Sequence, residues 1–191
     1  VFLELILRIF EIGYGNAPLE RSHKYHHMHP FKYEFLMYDP NKEFGGFEIH
    51  YDVNGFRVNN KNNNIFDKPN KKKGIIFLGD SFTEANQVPF HKTYVNLVGE
   101  SLNKETINLG VSSYSPIIYR IQALNILNDL KPKKVVLQLY SNDFKDDENY
   151  LKSAIFYKNN IIAIDGGKNS RIISILRKSY LIRLIRKNQL L

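Results

Sequence analysis

The sequence predicts an α/β fold with a parallel central sheet, and three observations carry that prediction. From residue 74 onward, apolar runs of strand length alternate with helical patterns. The runs GIIFLG (74–79), TINLG (106–110) and KVVLQLY (134–140) read as strands apolar on both faces, as strands buried between helices must be. Each is followed by small or polar residues: Gly79-Asp80-Ser81, Asn108-Leu109-Gly110 and Ser141-Asn142-Asp143. Such strands pair in parallel through right-handed crossovers, with helices covering both sides and ligand sites at the strand carboxyl ends.

The elements follow in chain order. Residues 1–14 open on VFLELILRIF, a strongly apolar decapeptide that is too short to span a bilayer, which takes about 20 residues. Glu4 and Arg8 within it suit a membrane-proximal helix, either the end of an anchor or an amphipathic soluble helix. Residues 15–73 form an irregular N-terminal segment. Its first part, 15–46, is rich in His, Tyr, Pro and Asn without periodicity and is predicted as loops. FEIHYDVNGFRV (47–58) alternates as two short strands about an Asn54-Gly55 turn, and 59–73 reads as a polar linker.

Residues 74–191 carry the α/β pattern. HKTYVNLVGESLN (91–103) fits a helix. Ser115-Pro116 opens the next one, because Ser caps and Pro is tolerated at the first helical position. Ile117, Ile121, Leu124 and Leu127 are predicted as its buried face, and Pro132 follows its end. AIFYKNNIIAID (154–165) reads as a hairpin about Asn159-Asn160, inserted beside the sheet. SRIISILRKSYLIRLIRKNQLL (170–191) interleaves isoleucines with Arg171, Arg177, Lys178, Arg183, Arg186 and Lys187. That pattern suits a core-facing helix with a solvated basic edge or a helix lying on a membrane. The chain starts on Val1 rather than Met and ends on IRKNQLL without a closing element, so it reads as a fragment, incomplete at its C-terminus.

Composition narrows the function. The 27 Lys and Arg exceed the 19 Asp and Glu by 8, but the charge is dispersed. Lys71 to Lys73 form the only tight triplet and no nucleic-acid motif accompanies them, so nucleic acid is not expected as a partner. The lack of cysteine removes disulfides, thiolate catalysis and Cys-ligated zinc. HKYHHMHP (23–30) crowds four histidines together, yet no carboxylate stands at helical spacing beside them. An exposed loop is expected there, and no metal.

The strand ends suggest acyl transfer. Serine is a poor nucleophile until a base takes its proton, and the reaction also needs donors aimed at the oxyanion. Gly79 allows a sharp turn after the first strand, which presents Ser81 with its N–H outward. Gly110 offers an unobstructed N–H after the second strand. Asn142 offers an amide after the third. The serine is not in G-x-S-x-G, so the α/β-hydrolase nucleophile elbow is not the match.

In these motifs the chain resembles the SGNH or GDSL hydrolases. Gly79-Asp80-Ser81-Phe82-Thr83 matches the family's G-D-S-x-[ST] block, the glycine of INLGVSSYS matches its second block at Gly110, and Asn142-Asp143 match its G-x-N-D block. Tyr140 stands where the family has glycine, which leaves the amide in place but questions the local turn. VNGFRV, followed by lysines and the G-D-S strand, is similar to membrane-linked bacterial members. The resemblance covers about residues 74–150. It implies a three-layer α/β/α fold and a Ser81 nucleophile acting on carboxylic esters, often acetyl groups of carbohydrate. Asp80 and Asp143 would support the site, and neither metal nor organic cofactor is implied.

The family's D-x-x-H block, which carries the base and its orienting acid, is absent. All six histidines (His23, His26, His27, His29, His50 and His91) precede Asn142. His91, the nearest after Ser81, suits a helix surface better than the role of base. The expectation is therefore an esterase or O-acyltransferase lacking its catalytic histidine, extracytoplasmic and membrane-tethered, with a small-molecule or carbohydrate ester as substrate. A catalytically silent relative binding carbohydrate or a partner, and a membrane-surface scaffold, remain the alternatives.

Overall fold

The computed structural model describes residues 2–10, 18–37, 46–60, 62–67, 74–168, 176 and 179–189. The chain is a mixed α/β protein whose centre is a three-stranded parallel sheet. An N-terminal helix α1 (Phe2–Ile9) precedes five short strands, β1 (Glu20–Ser22), β2 (His26–Met28), β3 (Glu34–Met37), β4 (Phe47–Tyr51) and β5 (Arg57–Val58). The parallel sheet then uses β6 (Ile75–Leu78), β7 (Thr106–Asn108) and β8 (Lys134–Leu137) in the order β7-β6-β8. Between and after them come α2 (Ser81–Glu84), α3 (Tyr94–Leu102), α4 (Pro116–Leu130) and α5 (Asp143–Leu151). A hairpin of β9 (Ala154–Tyr157) and β10 (Asn160–Ile164) and a last helix α6 (Tyr180–Gln189) complete the described elements.

The centre of the sheet explains its sequence. All four residues of β6 are buried, and they alternate between two apolar clusters. Ile76 and Leu78 join Ile107 of β7 and Ile118, Ile121 and Ile126 of α4. Ile75 and Phe77 meet Val95 of α3. Helices therefore cover both faces of β6, as its continuous apolar run requires. The expected buried face of α4 is corrected in part. Ile121 is buried, but Leu124 is 57% exposed, and Ile118, Tyr119, Gln122, Ile126 and Leu130 complete the buried stripe. Gln122 belongs there because its amide donates to the Leu109 carbonyl at 3.0 Å.

β8 departs from the expectation of burial on both faces: each of its four residues is exposed. It pairs with β6 on one side, and among the described residues no strand pairs with its other edge. The hairpin at 154–165 is present, with its turn at Lys158-Asn159 rather than Asn159-Asn160, both in the left-handed region. Ser115 precedes α4, but its hydroxyl does not cap the helix. It donates to Asp147 Oδ1 of α5, which also accepts from the Ile117 N–H, so α5 supplies the cap.

The N-terminal segment is more ordered than its sequence suggests. β1 pairs with β2 and β3 with β4, so much of the region expected as loops is strand. β4 and β5 flank the Asn54-Gly55 turn as expected, with Gly55 at φ +77. A side chain there would also meet the His29 carbonyl at 2.5 Å. Phe56, Val58 and Ile65 lie in the same cluster as Ile76 and Leu109, so this segment shares the core of the parallel sheet. His27 and His29 are buried, which corrects the exposed-loop expectation. Their polar atoms are matched inside: His27 Nε2 donates to the Ser112 carbonyl and His29 Nδ1 to the Pro18 carbonyl. The lysine triplet 71–73, residues 11–17 and most of 169–178 lie outside the described residues, as do the expectations that fall on them.

Candidate functional site

The strand order brings the three predicted segments to one edge of the sheet. Pairing continues past the strands, with the Val111 N–H donating to the Gly79 carbonyl at 3.2 Å and the Gln138 N–H to the Leu78 carbonyl at 2.9 Å. Ser81, Gly110 and Asn142 follow these three neighbouring ends.

Gly79 makes the turn because nothing larger fits. A Cβ there would lie 2.0 Å from Thr83 Oγ1 and 2.7 Å from Gln138 Oε1. Asp80 then caps α2, its carboxylate accepting from the Phe82 N–H at 2.9 Å. Ser81 is the first helical residue, half-buried, and its hydroxyl makes no hydrogen bond among the described residues. Thr83 anchors the turn from below, its hydroxyl meeting Tyr94 Oη at 2.9 Å and Gln138 Oε1 at 3.0 Å.

Gly110 packs against this turn. A Cβ on it would stand 2.5 Å from the Glu84 nitrogen and 2.7 Å from the Thr83 carbonyl carbon. Its N–H donates to Asn108 Oδ1 at 2.9 Å, while the Asn108 amide donates to the Thr83 carbonyl at 2.6 Å. Asn108 thus ties the end of β7 to α2, a positioning role that the sequence reading did not give it.

Asn142 stands just before α5, and its Nδ2 donates to Asp146 Oδ2 at 2.6 Å. An amide has two hydrogens, so one remains for another acceptor. Tyr140, which replaces the expected glycine, does not break the turn. The Asp143 N–H donates to the Tyr140 carbonyl and the Tyr140 N–H to Asp143 Oδ2, each at 3.1 Å. The Tyr140 ring also packs on Phe82, with centroids 4.5 Å apart, so the residue after Ser81 touches the loop that leads to Asn142.

Asp80 and Asp143 are both buried among carboxylates. Burial raises the pKa of Asp80, with Asp146 and Glu84 adding to the rise against the Phe82 N–H. Burial likewise raises that of Asp143, with Asp80, Asp147 and Asp146 adding to it against the Tyr140 N–H. Among the described residues no cluster of His, Asp or Glu has the arrangement to hold a metal ion.

The back of α2 is held by residues that sequence reasoning missed. Glu84 is fully buried. Oε1 accepts from Tyr51 at 2.8 Å and from the Asn86 amide at 2.5 Å, and lies 2.6 Å from His29 Nε2. Oε2 accepts from the Ser112 N–H at 2.7 Å and the Ser112 hydroxyl at 2.6 Å. Burial alone would raise the pKa of this carboxyl, but His29 and the donors around it bring it down to about 2. Arg57, also buried, donates to the carbonyls of Glu84, Ala85 and Val88 and so closes the carboxyl end of α2. Ala85 is held there in the left-handed region at φ +56. The only sequence signal is a carboxyl residue, Glu84, directly after Thr83 behind Ser81, with His29 and Arg57 far upstream.

No histidine contacts the Ser81 hydroxyl. His91 lies exposed in a short 3-10 turn at 90–92. Compared with known proteins, the chain matches no family model, no curated protein and no solved structure.

Proposed function

We propose that this chain carries the nucleophilic part of a serine esterase or O-acyltransferase of the SGNH type, with a three-layer α/β/α arrangement. The observation that supports this most is the strand order β7-β6-β8, which gathers Ser81, Gly110 and Asn142 at adjoining parallel strand ends. In the reaction, Ser81 Oγ attacks the ester carbonyl carbon as its proton passes to a base. The alkoxide leaves with that proton, and water or an acceptor alcohol then takes the acyl group from Ser81. The Ser81 N–H, the Gly110 N–H and the second hydrogen of the Asn142 amide are the oxyanion donors in this reading, with Gly110 exchanging its Asn108 partner for the oxyanion. The reading takes a histidine as that base, and none of the six in these 191 residues contacts the Ser81 hydroxyl. Hydrolase and transferase share the nucleophile and differ in the acceptor, so the reading covers both.

A second reading has its own support. The Gly110 N–H and the Asn142 amide already have partners within the chain, which is what a silent binding relative would tolerate. Treatment of the protein from its native reading frame with a fluorophosphonate reagent separates the two. A mass increase on the peptide containing Ser81, lost in Ser81→Ala, is expected. An unlabelled Ser81 in folded protein contradicts the enzyme reading.

A further inference from the structure

We propose that α1 and α6 form one surface that docks on an anionic lipid bilayer, a property independent of the catalytic reading. The two helices come from opposite ends of the described chain and are joined by one carboxylate. Glu4 accepts from the Ser179 hydroxyl at 2.7 Å, the Tyr180 N–H at 3.0 Å and the Leu181 N–H at 2.9 Å, which caps the first turn of α6. Burial opposes the charge on Glu4, but these donors and Arg8 outweigh it and lower its pKa to about 2. Arg8 completes the joint, donating to Glu4 at 2.8 Å and lying over the Tyr180 ring at 5.1 Å.

What this joint presents is unusual for a surface. Phe2 is 77% exposed, Ile9 66% and Phe10, directly after α1, 69%, and Leu3 and Leu5 of α1 and Ile185 of α6 are exposed as well. Single exposed apolar residues need no explanation, but five in and directly after one short helix, with a sixth on the helix joined to it, are the kind of exposure that marks a binding surface. Its occupant is indicated by charge. From Gly166 to Leu191 the sequence has seven Lys or Arg and no Asp or Glu, and α6 itself carries Arg183, Arg186 and Lys187 at i, i+3 and i+4 spacing. The one acid of α1 is used as the cap. Exposed apolar side chains on helices joined to a cation-rich sequence match the boundary of an anionic bilayer, where acyl chains lie beneath phosphates. Among the described residues no helix is long and apolar enough to cross a membrane.

The chain contains no tryptophan, which gives a clean probe. Phe10→Trp is exposed and serves as a fluorescent reporter without disturbing packing. The 191-residue chain carrying it is mixed with vesicles of phosphatidylcholine alone or with 30% phosphatidylglycerol. Binding at least tenfold tighter to the anionic vesicles is expected, with a blue-shifted emission quenched by lipids brominated high on the acyl chain. The preference should disappear in 0.5 M NaCl or in Arg183→Glu/Arg186→Glu. Phe2→Ser/Leu5→Ser should weaken binding by a similar factor with unchanged far-UV circular dichroism. Absence of vesicle binding, equal binding to both lipids, or unquenched emission with bound protein would each overturn the proposal, the last two by pointing to a lipid-independent or protein partner.

Discussion

His29 Nε2 lies 2.6 Å from Glu84 Oε1 with both side chains buried, so the N-terminal segment grips the turn that carries Ser81 through this contact. Removing one member leaves the other without its partner in the interior. Glu84→Ala should destabilise the protein by about 3–5 kcal/mol. Arg57→Lys should cost about 2 kcal/mol, because an ammonium cannot reproduce the fork that serves three carbonyls. Urea unfolding of both variants against the parent protein measures these values.

The same region makes stability fall with acid in two windows. Burial lowers the pKa of His27 from 6.5 to about 4, against the pull of the Ser112 carbonyl. The unfolded chain therefore takes up a proton that the folded one refuses, and stability is lost as pH falls from about 6.5 to 4. Glu84, lowered from 4.5 to about 2, contributes stability that is full above 4.5 and is lost from there downward. Unfolding free energies at pH 7.5, 5.5 and 4.5 should decline steadily, and His27→Gln should flatten the upper window.

Gly110→Ala tests the close approach of β7 to α2. Its methyl would sit against the backbone of Thr83 and Glu84, which cannot rotate away. A loss of about 2–3 kcal/mol is expected by thermal or urea unfolding. An unaffected variant would show that Gly110 does not pack on the turn.

The uncovered strand β8 predicts a liability in these 191 residues expressed alone. Val135, Val136 and Leu137 are all exposed on an edge that pairs with no strand among the described residues. Such edges recruit other chains. Light scattering should show association at micromolar concentration, and Val136→Lys should reduce it.

The parallel sheet was legible because β6 is buried on both faces and its apolar run has no other explanation. The placement of Ser81, Gly110 and Asn142 after neighbouring strand ends was legible for the same reason. The N-terminal segment was not. His29, Tyr51 and Arg57 are polar or amphipathic residues whose burial depends on Glu84, up to 55 positions away, and no periodicity reports a partner of that kind. Leu124 was misread because α4 turns a stripe containing Gln122 inward, matched by a carbonyl that only the fold supplies. The apolar run of β8 predicts burial on both faces, but such a run does not say whether anything covers it.

Ester turnover tests most directly whether Ser81 acts as a nucleophile served by oxyanion donors. Acetyl-ester hydrolysis is to be measured for the protein from its native reading frame, for Ser81→Ala and for Asn142→Ala, with folding checked by circular dichroism. Ser81→Ala should abolish turnover, and Asn142→Ala should lower it about 100- to 1000-fold, the cost of one oxyanion donor. Parent-level turnover in Ser81→Ala would contradict the assignment.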